Sequence, residues 1–263
     1  MKAFPPDLDI IVQARMGSTR LPGKTLMPMA GKPLLATLFR RLAAARCARR
    51  AVLATTESAK DDPIAAWAAD NGVFCFRGSE DDVLSRYYHA AKALGSRHVM
   101  RVTADCPLVD PATCDELAAL YLREGAAYAR TSDSFPDGLD CEIFSFEALA
   151  LAHHEARTKT EREHVTAYLG LHPERVPQVQ LDCAENGADL RVTIDYPEDF
   201  EVARTVLEAL GPADPLFSCR DIIRFLRENG ELRERNAQYA RDASYYEDLK
   251  RDGLTNKEGR NGE

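Results

Sequence analysis

The sequence predicts an α/β fold in which a mainly parallel central sheet lies between two layers of helices. Through the first half of the chain, short apolar runs alternate with segments of helical periodicity, which is the order that builds a parallel sheet. Capping residues mark the ends of these segments, as Asp110-Pro111 and Gly125 do. A basic, glycine-containing loop follows the first apolar run. Ligands of such sheets bind at this position, beyond the carboxyl ends of the strands.

The first half contains four predicted strands and four predicted helices in alternation. The strands cover residues 10–14, 51–55, 73–76 and 99–103, and the helices cover residues 33–45, 62–71, 79–95 and 110–125. We expect Asp62 to cap the second helix, with Pro63 at its first position. Ser79 is expected to cap the third, with Asp81 and Asp82 in its first turn.

The second half is less regular. Its predicted strands cover residues 127–131, 141–144, 176–181 and 190–194, and its predicted helices cover residues 146–157, 161–171, 197–210 and 218–229. Asn186-Gly187 lies between the last two strands and is typical of a hairpin turn. The polar and charged residues 254–263 are expected to form a disordered tail.

Composition indicates a soluble, cytoplasmic protein. Hydrophobic residues make up 45% of the 263 residues, but no apolar run reaches the roughly 20 residues that span a bilayer, and the N-terminus lacks a signal-peptide pattern. The seven cysteines are odd in number and include no C-x-x-C pair, which argues against disulfides and zinc. The net charge of −8 argues against broad nucleic-acid binding. We therefore expect no membrane and no nucleic-acid partner.

The most informative segment is the loop at residues 13–24, with the sequence QARMGSTRLPGK. Arg15, Arg20 and Lys24 bring three cations to it, and its small residues let backbone amides approach an anion. This combination predicts a site for a nucleotide triphosphate at the end of the first strand. The segment does not match a P-loop, because it has one residue too many between its two glycines.

Residues 11–24, followed by Gly-Lys-Pro-Leu-Leu at residues 31–35, resemble the signature of the cytidylyltransferases that make CMP-activated acidic sugars. This family includes the CMP-KDO and CMP-acylneuraminate synthetases and a branch named after the spore coat polysaccharide biosynthesis protein SpsF. The resemblance covers about residues 9 to 250. It implies a Rossmann-like, GT-A-like nucleotidyltransferase fold with three α/β/α layers, one domain over residues 1–253, and an excursion in the second half that forms a homodimer.

The resemblance also implies a reaction. A magnesium-dependent enzyme of this kind transfers CMP from CTP to an acceptor oxygen, here a 3-deoxy-2-ulosonic or nonulosonic acid, and releases pyrophosphate for surface or spore polysaccharide biosynthesis. A phosphonate or a sugar or alkyl phosphate remains an alternative acceptor. A nucleotide-sugar-dependent glycosyltransferase is a further alternative, although the one D-x-D motif, Asp7-Leu8-Asp9, precedes the first strand.

In the nucleotide site that the resemblance implies, Arg15 and Lys24 act as catalytic cations. The residues expected to bind the nucleotide are Ala14, Arg15, Met16, Gly17, Ser18, Arg20 and Lys24, with Arg77, Asp82 and Thr103 near the base. We expect the backbone amides of residues 16–18 to hold the phosphates. Two alternatives remain open, namely that Asp82 only caps a helix and that Thr103 only packs in the core.

Asp105 and Asp195 each follow a predicted strand and are candidate magnesium ligands, because magnesium takes one or two carboxylates beside phosphate oxygens. By position alone the commoner role of such an aspartate is a helix cap or turn residue. The segments around them, TADCPL and IDYPED, resemble the G-D-x-P-L and I-D-T-P-E-D segments in which the family holds magnesium. Tyr196 replaces the threonine usual in the second segment.

Acceptor recognition is expected in the second half of the chain. The segment at residues 136–142 resembles the family's sugar pocket, so Asp140 and Glu142 are expected to accept hydrogen bonds from sugar hydroxyls. Arg162 and His164 lie in a second matching segment and are expected to meet the acid group of the acceptor. The alternatives are a surface ion pair of Arg162 with Glu163 and a structural His164.

Overall fold

The structure is a computed structural model that describes residue 4 and residues 7–254; all but the first residue of the predicted tail, 254–263, lies outside the described residues. The strands are β1 (Leu8–Gln13), β2 (Pro28–Met29), β3 (Lys32–Pro33), β4 (Arg50–Thr56), β5 (Cys75–Gly78), β6 (His98–Thr103), β7 (Tyr128–Thr131), β8 (Glu142–Ser145) and β9 (Gln178–Leu181). The helices are α1 (Leu34–Leu42), α2 (Asp62–Asp70), α3 (Val83–Leu94), α4 (Pro111–Glu124), α5 (Phe146–Glu155), α6 (Lys159–Glu163), α7 (Ala167–Leu171), α8 (Pro197–Leu210), α9 (Cys219–Glu228), α10 (Gly230–Glu234) and α11 (Ala243–Arg251).

Seven strands form one sheet in the order β5-β4-β1-β6-β8-β7-β9, and β2 pairs with β3 in a small separate sheet. In the large sheet β1 pairs in parallel with both β4 and β6, while β8 runs antiparallel to its neighbours β6 and β7. The prediction of a mainly parallel central sheet is confirmed. The carboxyl ends of β4, β1 and β6 therefore open on the same edge.

The side chains of β1 alternate between the two faces of the sheet and define its two helical layers. Ile10 and Val12 belong to an apolar cluster with α1, α2 and α4. Ile11 belongs to a second cluster with α3 and α5. All three side chains are fully buried, as expected for a parallel strand at the centre of a three-layer fold.

A third apolar cluster joins α8 and α9 to residues 190–194. The strand predicted for this segment is wrong, because its only bridge in the described chain is the parallel one between Arg191 and Asp137. The segment instead packs against Gly138, whose φ is 99° and where an added Cβ would lie 2.1 Å from the Thr193 nitrogen. Close contact with the backbone around Gly138 therefore holds residues 190–194 in place.

Four local predictions also differ from the structure. The hairpin at Asn186-Gly187 is wrong, because β9 pairs with β7. The helix expected over residues 161–171 is divided into α6 and α7, because the backbone at His164 is extended. Helices α2 and α3 begin after Asp61 and Asp82 rather than after the predicted caps Asp62 and Ser79.

All seven cysteines are unpaired thiols. Within residues 7–254 there is also no helix whose length and apolar character would suffice to cross a bilayer.

Candidate active site

A cavity of about 1200 Å³ opens at the carboxyl ends of the parallel strands. The basic loop after β1 forms one wall, and residues 238–248 of the C-terminal segment form another. The predicted site residues that line the cavity are Ala14, Arg15, Ser18, Arg20, Lys24, Thr103, Asp105, Asp140, Glu142, His164 and Asp195. Those that do not line it are Met16, Gly17, Arg77, Asp82 and Arg162.

The basic loop is held to the body of the protein by Asp61. One carboxylate oxygen of this buried residue accepts a 2.7 Å hydrogen bond from the Met16 amide. The other oxygen accepts a hydrogen bond from the Thr56 hydroxyl. The Ser18 amide in turn donates to the Met16 carbonyl at 2.9 Å. Two of the three amides expected to hold phosphates, those of Met16 and Ser18, are therefore already bonded within the protein.

Sequence analysis missed Asp61. In the sequence it stands next to Asp62 in a charged segment, and no local pattern separates the two. Only burial does so, because Asp61 is 2% exposed whereas the side chain of Asp62 is 61% exposed.

The side chain of Lys24 lies between the two predicted metal ligands. Its Nζ donates to Asp105 Oδ2 at 3.1 Å, to Asp195 Oδ1 at 2.9 Å and to the Ile194 carbonyl at 2.5 Å. Burial would lower the pKa of Lys24, but the attraction of both carboxylates raises it above its ordinary value. The ammonium is thus held as a buried cation at the centre of the cavity floor.

Asp105 is kept ionised by the same contact. Burial would raise the pKa of this carboxyl, but the charge of Lys24 and a hydrogen bond from Thr103 bring it down to about 2. Asp105 lies in the turn that directly follows β6. The predicted convergence of two strand-end aspartates is therefore present in the structure, although the segment before Asp195 is not a strand.

Asp195 is oriented by two arginines in addition to Lys24. Arg20 Nη2 lies 3.0 Å from its Oδ1, and Arg191 Nη2 lies 3.3 Å from its Oδ2. Arg191 is buried and also donates two hydrogen bonds, of 2.8 and 2.9 Å, to the Asp199 carboxylate. Sequence analysis missed Arg191, although a lone cation within an apolar run is a sequence signal for a buried ion pair.

Tyr196 packs against Arg20 of the basic loop. Its ring stacks on Tyr239 with a centroid separation of 3.7 Å and an angle of 3° between the planes. The guanidinium of Arg20 lies 4.9 Å above the Tyr196 ring. The tyrosine that replaces the family's threonine thus contacts Arg20 with its ring and also with its hydroxyl, which accepts a 3.5 Å hydrogen bond from Arg20 Nη1.

Arg15 differs from the other two cations of the loop. It is exposed, and its guanidinium makes no hydrogen bond or ion pair with any described residue. It therefore points a solvated cation at the cavity, where an anionic ligand can reach it.

Arg77, Asp82 and Arg162 hold loops together outside the cavity. Arg77 donates to the carbonyls of Thr56 and Ser58 at 2.8 and 2.9 Å. Asp82 caps α3 by accepting the Ser85 amide at 2.8 Å, which is the alternative left open by the sequence. Arg162 lies 3.4 Å from the Asp82 carboxylate, and not in the ion pair with Glu163 that was considered. Their geometry is that of structural contacts.

The far end of the cavity contains the remaining acceptor candidates. Glu142 accepts hydrogen bonds from Arg101 at 2.6 Å and from Thr166 at 2.8 Å. His164 Nε2 lies 2.9 Å from an oxygen of Asp248, a residue of α11. The structure therefore brings the C-terminal helix, which sequence analysis did not connect to the site, into this end of the cavity.

Asp140 is fixed by the same C-terminal segment. Arg241 forms an ion pair with its carboxylate and donates to the carbonyls of Asp133 and Phe135 at 3.2 and 2.8 Å. Burial raises the pKa of the neighbouring Asp137 to about 7, and the negative charge of Asp140 adds to this shift. This end of the cavity is thus rich in carboxylates, most of which face an arginine.

Comparison with known proteins gives concordant matches. The Cytidylyltransferase family model matches residues 10–239, so the part of the cavity wall formed by residues 240–248 lies beyond the matched range. The spore coat polysaccharide biosynthesis protein SpsF of Bacillus subtilis is 32% identical over 230 residues, which cover 85% of this chain and 95% of that protein.

Solved structures agree with this match. A cytidylyltransferase from Leptospira borgpetersenii serovar Hardjo-bovis has a TM-score of 0.83 and 31% identity, covering 89% of this chain and 99% of that one. The CMP:2-keto-3-deoxy-manno-octonic acid synthetase complexed with CTP has a TM-score of 0.57 and 13% identity, covering 77% of this chain and 98% of that one. At that identity the second likeness concerns the fold alone.

Proposed function

We propose that this chain, which belongs to the cytidylyltransferase family, transfers CMP from CTP to an oxygen of a small acidic acceptor and releases pyrophosphate. The acceptor class that we propose is a 3-deoxy-2-ulosonic or nonulosonic acid. Support for this class comes from the resemblance of the site segments to CMP-acidic-sugar synthetases and from similarity to a polysaccharide biosynthesis protein.

One observation carries the proposal. A buried ammonium, Lys24, joins two carboxylates at the carboxyl edge of a parallel sheet, beside the exposed cation Arg15. A triphosphate needs both kinds of charge, because cations bind its oxygens and carboxylates bind the metal ion that accompanies it. The cavity supplies both kinds of charge.

The residues present fit magnesium. Asp105 and Asp195 converge on one point, and Asp105 has its pKa lowered to about 2, so it is ionised at neutral pH. One or two carboxylates are what protein sites for this ion usually provide, the other ligands being water and phosphate oxygens. Bound there, magnesium would screen the triphosphate charge and polarise its α-phosphoryl group.

The chain's own contribution is positioning and charge stabilisation. We propose that Arg15 and Lys24 stabilise the negative charge that develops on the phosphates. Arg20 orients the carboxylate of Asp195. Lys24 needs little reorganisation, because its hydrogen bonds already hold it in the cavity floor. Asp140, Glu142 and His164 form the end at which we place the acceptor.

A glycosyltransferase is not favoured by the geometry. Its metal motif would be Asp7-Leu8-Asp9, but Asp9 is fully buried and pairs with Arg49 and Arg50 at the start of β1. That end of the sheet is opposite the cavity.

Thermal unfolding with CTP, UTP, GTP, ATP and UDP- or GDP-sugars, each with and without magnesium, tests the nucleotide. A ligand at 100 times its Kd stabilises the fold by about 2.7 kcal/mol, so we expect a magnesium-dependent rise in Tm with CTP. A rise with a nucleotide-sugar and none with CTP would contradict the proposal. Pyrophosphate release from CTP with KDO, N-acetylneuraminic acid and simple phosphonates then identifies the acceptor class.

We also propose that residues 1–253 form a single domain and that the chain acts as a cytoplasmic homodimer. The family resemblance supports the dimer, and light scattering on the purified protein measures it. A monomeric mass across the working concentration range would contradict this part of the proposal.

A further inference from the structure

Cys183 and Cys219 bring two thiols into contact, although the residues are 36 positions apart in the chain. Their Sγ atoms are separated by 3.8 Å. Cys183 lies just after β9, and Cys219 is the first residue of α9. Neither residue lines the cavity. The pair is therefore separate from the proposed active site, and the spacing of the cysteines in the sequence did not reveal it.

The segment that contains Cys183 is held against α9 by contacts that do not involve sulfur. Arg220 Nε donates to Glu185 Oε1 at 2.6 Å. One turn or so further along the same helix, Arg227 Nη2 donates to the Asn186 carbonyl at 2.5 Å. These two contacts fix the segment after β9 on the helix that begins at Cys219. The approach of the two thiols therefore follows from how the backbone is packed.

The backbone is also fixed at each cysteine. The Cys183 amide donates to Ser134 Oγ at 2.8 Å, and the Cys219 amide donates to Asp110 Oδ2 at 2.8 Å. A disulfide bond is about 2.0 Å long, so the two sulfurs, now 3.8 Å apart, need to approach by about 1.8 Å. Rotation of the two side chains about their Cα–Cβ bonds can supply a movement of this size.

The two thiols differ in how easily an oxidant can reach them. Cys183 is half-buried, whereas Cys219 is 6% exposed. Burial raises the pKa of Cys219, and the neighbouring Cys183 adds to this shift. The thiolate is the form that reacts with an oxidant, so Cys183 is the first thiol to react and Cys219 is the second. Cys75 is also half-buried, but its Sγ faces the Phe76 carbonyl at 3.9 Å.

We propose that Cys183 and Cys219 form an oxidation site, at which a peroxide converts the two thiols into one reversible disulfide. The Cys183 thiolate attacks the O–O bond of hydrogen peroxide, which forms a sulfenic acid and releases hydroxide. The Cys219 sulfur then attacks the sulfenic sulfur, the S–O bond breaks, and water leaves. Two electrons pass from the thiols to the peroxide, and the two thiol protons end in two water molecules.

The disulfide would close a covalent loop that contains Asp195 and the whole of α8. A cross-link stabilises a fold mainly by restricting the unfolded chain. We therefore expect the oxidised protein to unfold at a Tm higher by about 5 °C or more. Because neither sulfur lines the cavity, the Kd for CTP should stay within about twofold of its value in the reduced protein.

Peptide mapping of the full chain tests the site. The protein is treated with hydrogen peroxide, its remaining thiols are alkylated, and it is digested with trypsin without reductant. Trypsin leaves Cys183 in the peptide 176–191 and Cys219 in the peptide 205–220, each with a single cysteine. We expect the two peptides to be recovered joined, lighter by two hydrogens than their sum, and to separate after treatment with dithiothreitol.

Cys183→Ser and Cys219→Ser should each abolish the joined peptide and the rise in Tm. Cys75→Ser, at the other half-buried cysteine, is the matched control and should retain both. In Cys219→Ser the sulfenic acid at Cys183 should persist and react with dimedone. Recovery of the two peptides unjoined from the oxidised wild type, or joined to other cysteines, would overturn the site. Neither result bears on the proposed reaction, which the CTP measurements test separately.

Discussion

Lys24 and Asp105 are 81 residues apart in the sequence, and Lys24 Nζ donates a 3.1 Å hydrogen bond to Asp105 Oδ2. The same ammonium reaches Asp195 from a third part of the chain. One buried cation therefore joins the loop after β1, the end of β6 and the segment before α8. Hydrogen bonds within the chain thus fix the position of the Lys24 ammonium between the two carboxylates.

We expect Lys24→Met to lower kcat/KM by about 100-fold or more, because a preorganised charge near the phosphates is lost. Removing the ammonium also leaves two carboxylates facing each other, so Tm should fall. Pyrophosphate release and thermal unfolding measure the two effects. Lys92→Met is the control, because Lys92 is exposed on α3. Wild-type turnover in Lys24→Met would contradict the assignment.

Asp105→Asn should abolish measurable turnover while the fold is retained. The amide has the size of the carboxylate but cannot provide a charged oxygen to a metal ion. Magnesium-dependent stabilisation by CTP should disappear in thermal unfolding. Glu124→Gln at the end of α4 serves as a remote control. Activity close to that of the wild type would exclude Asp105 as a ligand.

Asp105 should also make the free energy of unfolding depend on pH in the acid range. Its pKa in the folded protein is about 2, below the ordinary value of 3.8. The contribution is therefore present above about pH 4 and is lost as the pH falls toward 2, with a magnitude of about 2 kcal/mol or less. Urea unfolding of wild type and Asp105→Asn between pH 5 and pH 2 should show their difference shrinking. A difference that is constant with pH would argue against the Lys24 contact.

Asp61→Ala should weaken CTP binding although Asp61 lines no part of the cavity. The substitution removes the acceptors of the Met16 amide and the Thr56 hydroxyl, which should cost about 2–3 kcal/mol of unfolding free energy and loosen the basic loop. Asp62→Ala, at the exposed neighbour, should change neither stability nor binding appreciably. Similar behaviour of the two variants would count against this role of Asp61.

Arg241→Met should affect the acceptor and not the nucleotide. Arg241 ties the C-terminal segment to Asp140 and to the carbonyls of Asp133 and Phe135. We expect the KM for the acceptor to rise about tenfold or more while the Kd for CTP stays within about twofold. Arg251→Met at the exposed end of α11 is the control. A loss of CTP affinity in Arg241→Met would place this segment at the nucleotide instead.

Several site residues could be found from the sequence because their positions follow from local patterns. Asp105 comes after a clear apolar run, and parallel strands present their carboxyl ends on one edge. Lys24 belongs to the basic loop after β1. The sequence predicted that Asp105 and Asp195 face one cavity, but only the structure shows that Lys24 donates to both of them. The strand before Asp195 was predicted wrongly, yet the residue still reaches the site because its segment packs against Gly138.

The sequence by itself thus determined the fold class, the edge of the sheet that holds the site and the cations that reach it, since periodicity and loop composition are local properties. Tertiary structure alone decided which polar groups are already bonded. The Met16 amide is occupied by Asp61, whereas the exposed guanidinium of Arg15 makes no hydrogen bond or ion pair with a described residue. Burial and hydrogen-bond partners depend on residues that are distant in the chain. The residues next to a polar group in the sequence therefore do not determine whether that group is free to bind a ligand.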